Sequence, residues 1–211
     1  MKALVPVLIA MSLVLAVIGC MRTPPGLARG KELYRTCVPC HGDHGGGNAS
    51  LAAPAIAGLP EWYLQAQLVK FKGGIRGAHP EDMEGARMRP MARSLYRPGD
   101  LESVAKYVAQ LTRVRQPNTL AGGDVAAGEG LYAVCATCHG EDAGGIQDMN
   151  APTLHGQADW YLYHQLEKFK SGMRGAHPED VTGQQMAAMS TMLEDSTAMR
   201  NVIAYIRTLA K

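Results

Sequence analysis

The chain has 211 residues, of which 46% are hydrophobic but only 6% aromatic, with 21 Lys plus Arg against 19 Asp plus Glu. That length suits two small domains better than one, yet two Phe and two Trp leave little bulky volume for two cores, so a disulfide, a metal or another non-polypeptide group is needed to help fill them. A net charge of +2 is too near neutral to hold a polyanion and excludes nucleic acid as a partner.

Residues 1–19, MKALVPVLIAMSLVLAVIG, place one early Lys before an apolar run that is too short and too Pro-interrupted for a membrane span. The segment reads as an export signal, which puts the remainder outside the cytoplasm. Its end, VIGC, resembles the lipobox of bacterial lipoproteins. That resemblance closes the signal peptide at residues 1–20 and makes Cys20 an acylated membrane anchor, held by several buried chains. A plain cleaved signal and an uncleaved anchor helix are the alternatives.

From there the chain repeats. His139 follows His41 by 98 residues, and the same offset relates Trp160 to Trp62, His177 to His79, Met186 to Met88 and Tyr205 to Tyr107. One offset throughout means two homologous units with no net insertion between matched points. They are expected at 26–112 and 124–211, joined by the Pro-, Asn- and Gly-containing connector 113–123. Two copies are too few for a solenoid, so the prediction is a tandem pair of domains.

Within each unit the elements are helical. GLARGKELYRT and DVAAGEGLYAV read as short helices. Leu64, Leu68 and Phe71 then form an apolar stripe in a helix expected to stop at Gly73 and Gly74, and Val104, Tyr107, Val108 and Leu111 recur at helical spacing after Asp100, a suitable N-cap. No alternating strand pattern is present, which predicts an all-α fold. The stretches between are long, Gly- and Pro-rich loops, and such loops in a small domain call for something to wrap.

The first helix of each unit runs into the same cluster: CVPCH at 37–41 and CATCH at 135–139. In an exported chain CxxCH is the attachment site of c-type haem, each sulfur adding to a vinyl group and the His coordinating iron. Two cysteines three positions apart share one side of a helical turn, so both reach one macrocycle edge. This assigns Cys37, Cys40 and His41 to one haem and Cys135, Cys138 and His139 to a second, leaving Cys20 as the fifth cysteine. A zinc half-site, a redox pair and a disulfide are the rivals. Zinc prefers four ligands and each unit offers two cysteines, while a redox pair is expected beside a strand–helix–strand pattern that is missing.

For the iron's other face the candidates are Met88 and Met91, matched by Met186 and Met189. Spacing alone does not choose within each pair, and a methionine not bound is an adaptable core filler. His79 and His177, in the repeated RGAHPED, are competing ligands. Arg76 and Arg174, in the same stretch, are candidates for pairing with haem propionates, since a guanidinium matches both oxygens of a carboxylate. His44, His155 and His164 have no histidine counterpart and read as surface or loop residues.

Two CxxCH units of this size, an exported N-terminus and a methionine loop before a final helix resemble the diheme cytochrome c4 family, over nearly all of the mature chain. The resemblance implies two class I cytochrome c domains, each a small helical fold wrapped around one covalent haem, packed about a pseudo-twofold axis. It implies a periplasmic carrier passing single electrons to a terminal oxidase or reductase. It also implies axial Met88 and Met186, each seven residues before a leucine, Leu95 and Leu193. RGAHPED is similar instead to cytochrome c modules of haem-copper oxidase subunits, and YRPGD is one residue longer than the family leads one to expect. A haem-bearing subunit of a larger membrane complex and a diheme peroxidase-like enzyme are therefore kept as alternatives. The peroxidase needs an open or displaceable iron position and nearby acid–base groups, whereas the units are near copies, both carry the same methionine pair and neither shows polar machinery that the other lacks. Finally, 21–112 carries 12 basic and 8 acidic residues whereas 124–211 carries 6 and 11. The units thus have opposite charge, suited to different protein partners or to each other.

Overall fold

The protein is described by a computed structural model covering residues 23–209, so Cys20 and the leader lie outside the described residues. The first unit runs α1 (Leu27–Tyr34), α2 (Val38–His41), α3 (Glu61–Gly73), α4 (Met83–Arg93) and α5 (Asp100–Ala109). The second runs α6 (Val125–His139), α7 (Asp159–Lys170), α8 (Val181–Ser190) and α9 (Ser196–Leu209). Thus α6 is one continuous helix where the first unit has α1 and α2, with a Pro in α2's first turn. Among the described residues there is no strand. The nearest approach is one isolated bridge per unit, Asn48 to Ala53 and Ile146 to Ala151.

Each unit is organised by a crossing of its first and last helices, α1 on α5 and α6 on α9. The helices approach so closely because the contact residue is glycine. A Cβ added at Gly30 would lie 2.1 Å from the Ser103 carbonyl oxygen, and one at Gly128 would lie 2.0 Å from that of Asn201. Beside the crossing, Tyr34 packs on Tyr107 and Tyr132 on Tyr205, with ring centroids 5.5 and 5.6 Å apart. The two inner hydroxyls donate to the carbonyls of Gly42 and Gly140, each at 2.7 Å. One side chain therefore joins the crossing to the residue just after each CxxCH.

The apolar stripes lie where the spacing puts them. Leu64 and Phe71 are buried on α3 with Leu68 packed beside them, and α3 ends at Gly74, whose φ of 80° suits glycine. On α5, Val104 and Val108 are buried while Tyr107 and Leu111 pack against the same cluster. Two expectations change. Asp100 is the first residue of α5, not its cap, because its carboxylate accepts from Arg29 at 2.8 and 3.1 Å while Gly99 takes the cap position. The methionine stretch, expected as loop, contains α4 and α8. Each packs on the helix before it, α4 on α3 and α8 on α7, but their methionines Met88, Met91 and Met186 line a cavity, so the sequence carries no broad apolar stripe there. Their starts are nonetheless well made, with Asp82 and Asp180 accepting from the Gly85 and Gly183 amides at 3.0 Å.

The connector is fastened to both units. Arg113 donates to Gly58 O of the first and to Thr153 Oγ1 and His155 O of the second. Asp159 accepts from the backbone and hydroxyl of Thr119 and from the Leu120 amide.

The crossing predicts that Gly128→Ala destabilises the protein by about 1–3 kcal/mol or more, since overpacking against backbone has little room to relax. Gly130→Ala, where a Cβ meets nothing within 4 Å, should be neutral or slightly stabilising. Thermal melts of the two variants check this. The Arg29 guanidinium holds the Asp100 carboxyl below the ordinary carboxylate range. The pair's contribution is therefore complete above the unfolded-state value and disappears as pH falls through the lower folded-state value. Asp100→Asn should lower stability by about 1–2 kcal/mol at pH 7 and by less in acid, as measured by denaturant titration.

Candidate haem sites

One cavity of about 350 Å³ runs through both units. Cys37, Cys40 and His41 line it from the first, Cys135 and His139 from the second, and Met88, Met91 and Met186 from α4 and α8. Cys138 and Met189 stand outside the wall, Cys138 half-buried and Met189 38% exposed. Met88 and Met186 are the half-buried members of their pairs, whereas Met91 is 41% exposed.

The two histidines are set identically. His41 and His139 are buried, and Nδ1 of each lies 2.9 and 2.8 Å from a carbonyl oxygen, that of Pro54 or Pro152. A carbonyl only accepts, so Nδ1 carries the proton and Nε2 keeps its lone pair for a metal. Burial pulls both pKa values down, against a smaller opposing effect of that hydrogen bond, and so favours the neutral, ligating form. The loop after each cluster supplies the proline carbonyl and thereby orients the ring.

None of the four described cysteines forms a disulfide. Burial pushes the Cys37 thiol up to about 11 and raises that of Cys135. Such thiols are not activated redox nucleophiles, and among the described residues no group of three or more His, Cys, Asp or Glu side chains is gathered to hold a metal ion such as zinc.

His79 and His177 do not line the cavity. Their Nδ1 atoms accept from the amides of Glu81 and Glu179 at the loop surface. His44 and His164 are exposed, and His155 is held to the Asp142 carbonyl.

Arg76 and Arg174 meet across the boundary between the units. Arg76 donates to Gln67 at 2.7 Å, to the Tyr161 hydroxyl at 3.1 Å and to Gln165 at 3.0 Å, while Arg174 donates to Gln165 at 2.7 Å and to Gln67 at 3.0 Å. Each guanidinium also lies over a phenylalanine of its own unit, Phe71 or Phe169. Among the described residues neither has a carboxylate within 4 Å, and the enclosed Nε of Arg174 has no partner. Burial and the facing Arg76 charge pull the Arg174 pKa down. Two enclosed cations with only neutral partners are costly unless an anion accompanies them. An apolar cavity with imidazole and thioether donors and a cationic rim fits a haem with its propionates.

Gln67 and Gln165, and Tyr63 and Tyr161, belong to no recognisable sequence motif. Their identity at the 98-residue offset is the signal that marks them.

A family model for cytochrome c matches residues 27–112 and again 125–210. The chain belongs to the cytochrome c family. It is a diheme c-type cytochrome of tandem cytochrome c domains and binds two covalent haem c groups. A thiosulfate dehydrogenase electron acceptor from Thiomonas intermedia is 34% identical over 68% of this chain and 66% of its own length. Reduced recombinant cytochrome c4 from Pseudomonas stutzeri superposes with a TM-score of 0.68 at 25% identity, over 87% of this chain and 98% of that one. Thiosulfate dehydrogenase (TsdBA) from Marichromatium purpuratum gives a TM-score of 0.70 at 29% identity, over 86% of this chain but 40% of that one. The cytochrome thus spans just under two thirds of the first relative's length and less than half of the last.

Without haem the apolar lining of this solvent-open cavity of about 350 Å³ stays unburied, and a small domain has little stability to spare. The chain synthesised without haem attachment should therefore lack a cooperative thermal transition and bind a hydrophobic dye, whereas the loaded protein melts sharply. Calorimetry of the two forms distinguishes them.

Proposed function

We propose that the diheme cytochrome relays single electrons on the periplasmic side of a bacterial membrane, from a dehydrogenase towards a terminal oxidase or reductase. The domains are taken as 26–112 and 124–211 with 113–123 between. Cys37 and Cys40 hold one haem and Cys135 and Cys138 the other. His41 and Met88 ligate the first iron, His139 and Met186 the second. Residues 1–20 export the chain, and acylated Cys20 tethers it.

The observation that carries this reading is the duplicated pairing of a neutral imidazole, its Nε2 free, with a half-buried methionine on the same cavity. Bound there, each haem supplies a one-electron couple, and methionine opposite histidine raises its potential. His41 with Met88, and His139 with Met186, would hold each iron through the chain's own side chains, which suits a one-electron carrier. Arg76 and Arg174 supply the counter-charge for propionates at the boundary. Both histidine sites line one cavity, so haems held there would allow electrons to pass between the domains inside the molecule. A dehydrogenase as donor is supported by the similarity to a thiosulfate dehydrogenase electron acceptor. The match to a section of the longer TsdBA chain favours, as a second reading, residence in a larger oxidoreductase complex.

The docking faces are unlike. In the first domain Arg87, Arg93 and Arg97 are exposed around the methionine helix, and at the same offset the second domain has Gln185, Thr191 and Asp195. The first face suits an acidic partner surface, and the second does not.

Met88→Leu and Met186→Leu should each remove half of the iron–methionine absorbance of the oxidised protein and lower the potential of one haem. Met91→Leu and Met189→Leu should leave both unchanged, as read by spectroelectrochemistry. Stopped-flow reduction by an acidic redox protein should slow several-fold as ionic strength rises from 0.01 to 0.15 M, through a Debye length of about 30 to 8 Å. Arg87→Gln with Arg93→Gln should remove much of that salt dependence.

A further inference from the structure

The two domains are joined by ion pairs that exchange when the domains are swapped. Lys70 on α3 reaches out of the first domain and donates to Asp180 at 2.5 Å and to Thr182 at 2.6 Å. Lys168 on α7 reaches the other way, to Asp82 and Glu84, both at 2.6 Å. The acceptors are not ordinary surface carboxylates. Asp82 and Asp180 are 2% and 1% exposed, and the oxygen that accepts from the lysine also accepts the first-turn amide of α4 or α8. These are the helices that carry Met88 and Met186.

We infer that each domain fixes the methionine helix of the other: Lys70 positions Met186 through Asp180, and Lys168 positions Met88 through Asp82. The inference rests on the assignment of Met88 and Met186 as axial ligands.

The local packing transmits the constraint. Gly175, with φ of 84°, lies so close to the first turn of α8 that a Cβ there would sit 2.3 Å from Gly183 O, and Gly77 is placed alike against Gly85. The Arg-Gly-Ala-His-Pro-Glu-Asp stretch therefore abuts the helix start it leads into, and a shift of the cap moves the whole element. The far end of the methionine segment is tied within its own domain. Lys72 donates to Leu95 O at 2.6 Å, and Lys170 donates to Leu193 O and Glu194 O. Two lysines spaced two residues apart on one helix thus serve different haems: Lys70 the second, Lys72 the first.

A buried carboxylate that loses its cation is left uncompensated, so the cap should loosen and the methionine should become easier to displace. The probe is imidazole, titrated into the oxidised diheme protein. Displacement at each haem is followed separately by the hyperfine-shifted methionine methyl resonances, assigned with Met88→Leu and Met186→Leu. Lys70→Met should raise imidazole affinity at the second haem about tenfold, equivalent to 1.4 kcal/mol, with the first haem unchanged. Lys72→Met should do the reverse, and Lys70→Arg should restore the wild-type affinity. A general loss of stability moves both haems or the haem of the mutated domain, and that result overturns the proposal. So does an unchanged second haem in Lys70→Met. If Lys70→Met does not fold, Asp180→Asn, which keeps a capping side chain but removes the pair, carries the same expectation. If Met186→Leu retains the second methyl resonance, the ligand assignment itself fails, which is a different outcome from an unmoved second haem in Lys70→Met.

Discussion

Everything in this molecule follows from a polypeptide that does not fill its own centre. Few bulky side chains, Gly- and Pro-rich loops and a 350 Å³ cavity are aspects of one fact. Each domain folds around a haem, and the haem is its largest hydrophobic element. The imidazole on the cavity wall links that packing requirement to chemistry, because the Nδ1 bond to a proline carbonyl that closes the loop is also what frees Nε2 for iron. Stability and redox function are thus set by the same few atoms.

The second constraint is duplication. Two copies of one unit meet on matching faces, so the central contacts come in pairs: Arg76 with Gln165 and Arg174 with Gln67, Lys70 with Asp180 and Lys168 with Asp82. This is the reciprocity that a pseudo-twofold arrangement requires. Such an interface brings like charges together at its centre, as with the two guanidiniums, and places complementary pairs away from it. The sequences have diverged where the symmetry does not bind them. Gln67, Lys70, Arg76 and Asp82 recur at the 98-residue offset, whereas the exposed Arg87 and Arg93 of α4 and Arg97 just beyond it have neutral or acidic counterparts on the second domain.

The sequence made the haem-bearing half of the site legible, since CxxCH is a contiguous motif whose residues act together without help from distant chain segments. The α3 and α5 stripes were legible for a similar reason, being periodic and facing protein. What the sequence hid was whatever depends on the cofactor or on the other domain. Helices α4 and α8 turn methionines to a cavity and lack a broad stripe. Asp100 looks like a cap until Arg29, 71 residues away, claims its carboxylate. RGAHPED reads as a candidate ligand loop because it recurs intact. In the fold its arginine crosses to the neighbouring domain, its glycine lies against a helix start and its aspartate caps that helix, while its histidine stays at the surface. The repeat signalled constraint at these positions without saying which physical interaction imposed it.

The central claim is that each half of the chain is built around its own covalently held haem. Intact-mass analysis of the purified protein, followed by peptide mapping, tests it most directly. The account predicts two haem additions, one on the peptide containing Cys37 and Cys40 and one on that containing Cys135 and Cys138. A folded protein carrying one haem or none, or a disulfide within either pair, would contradict it.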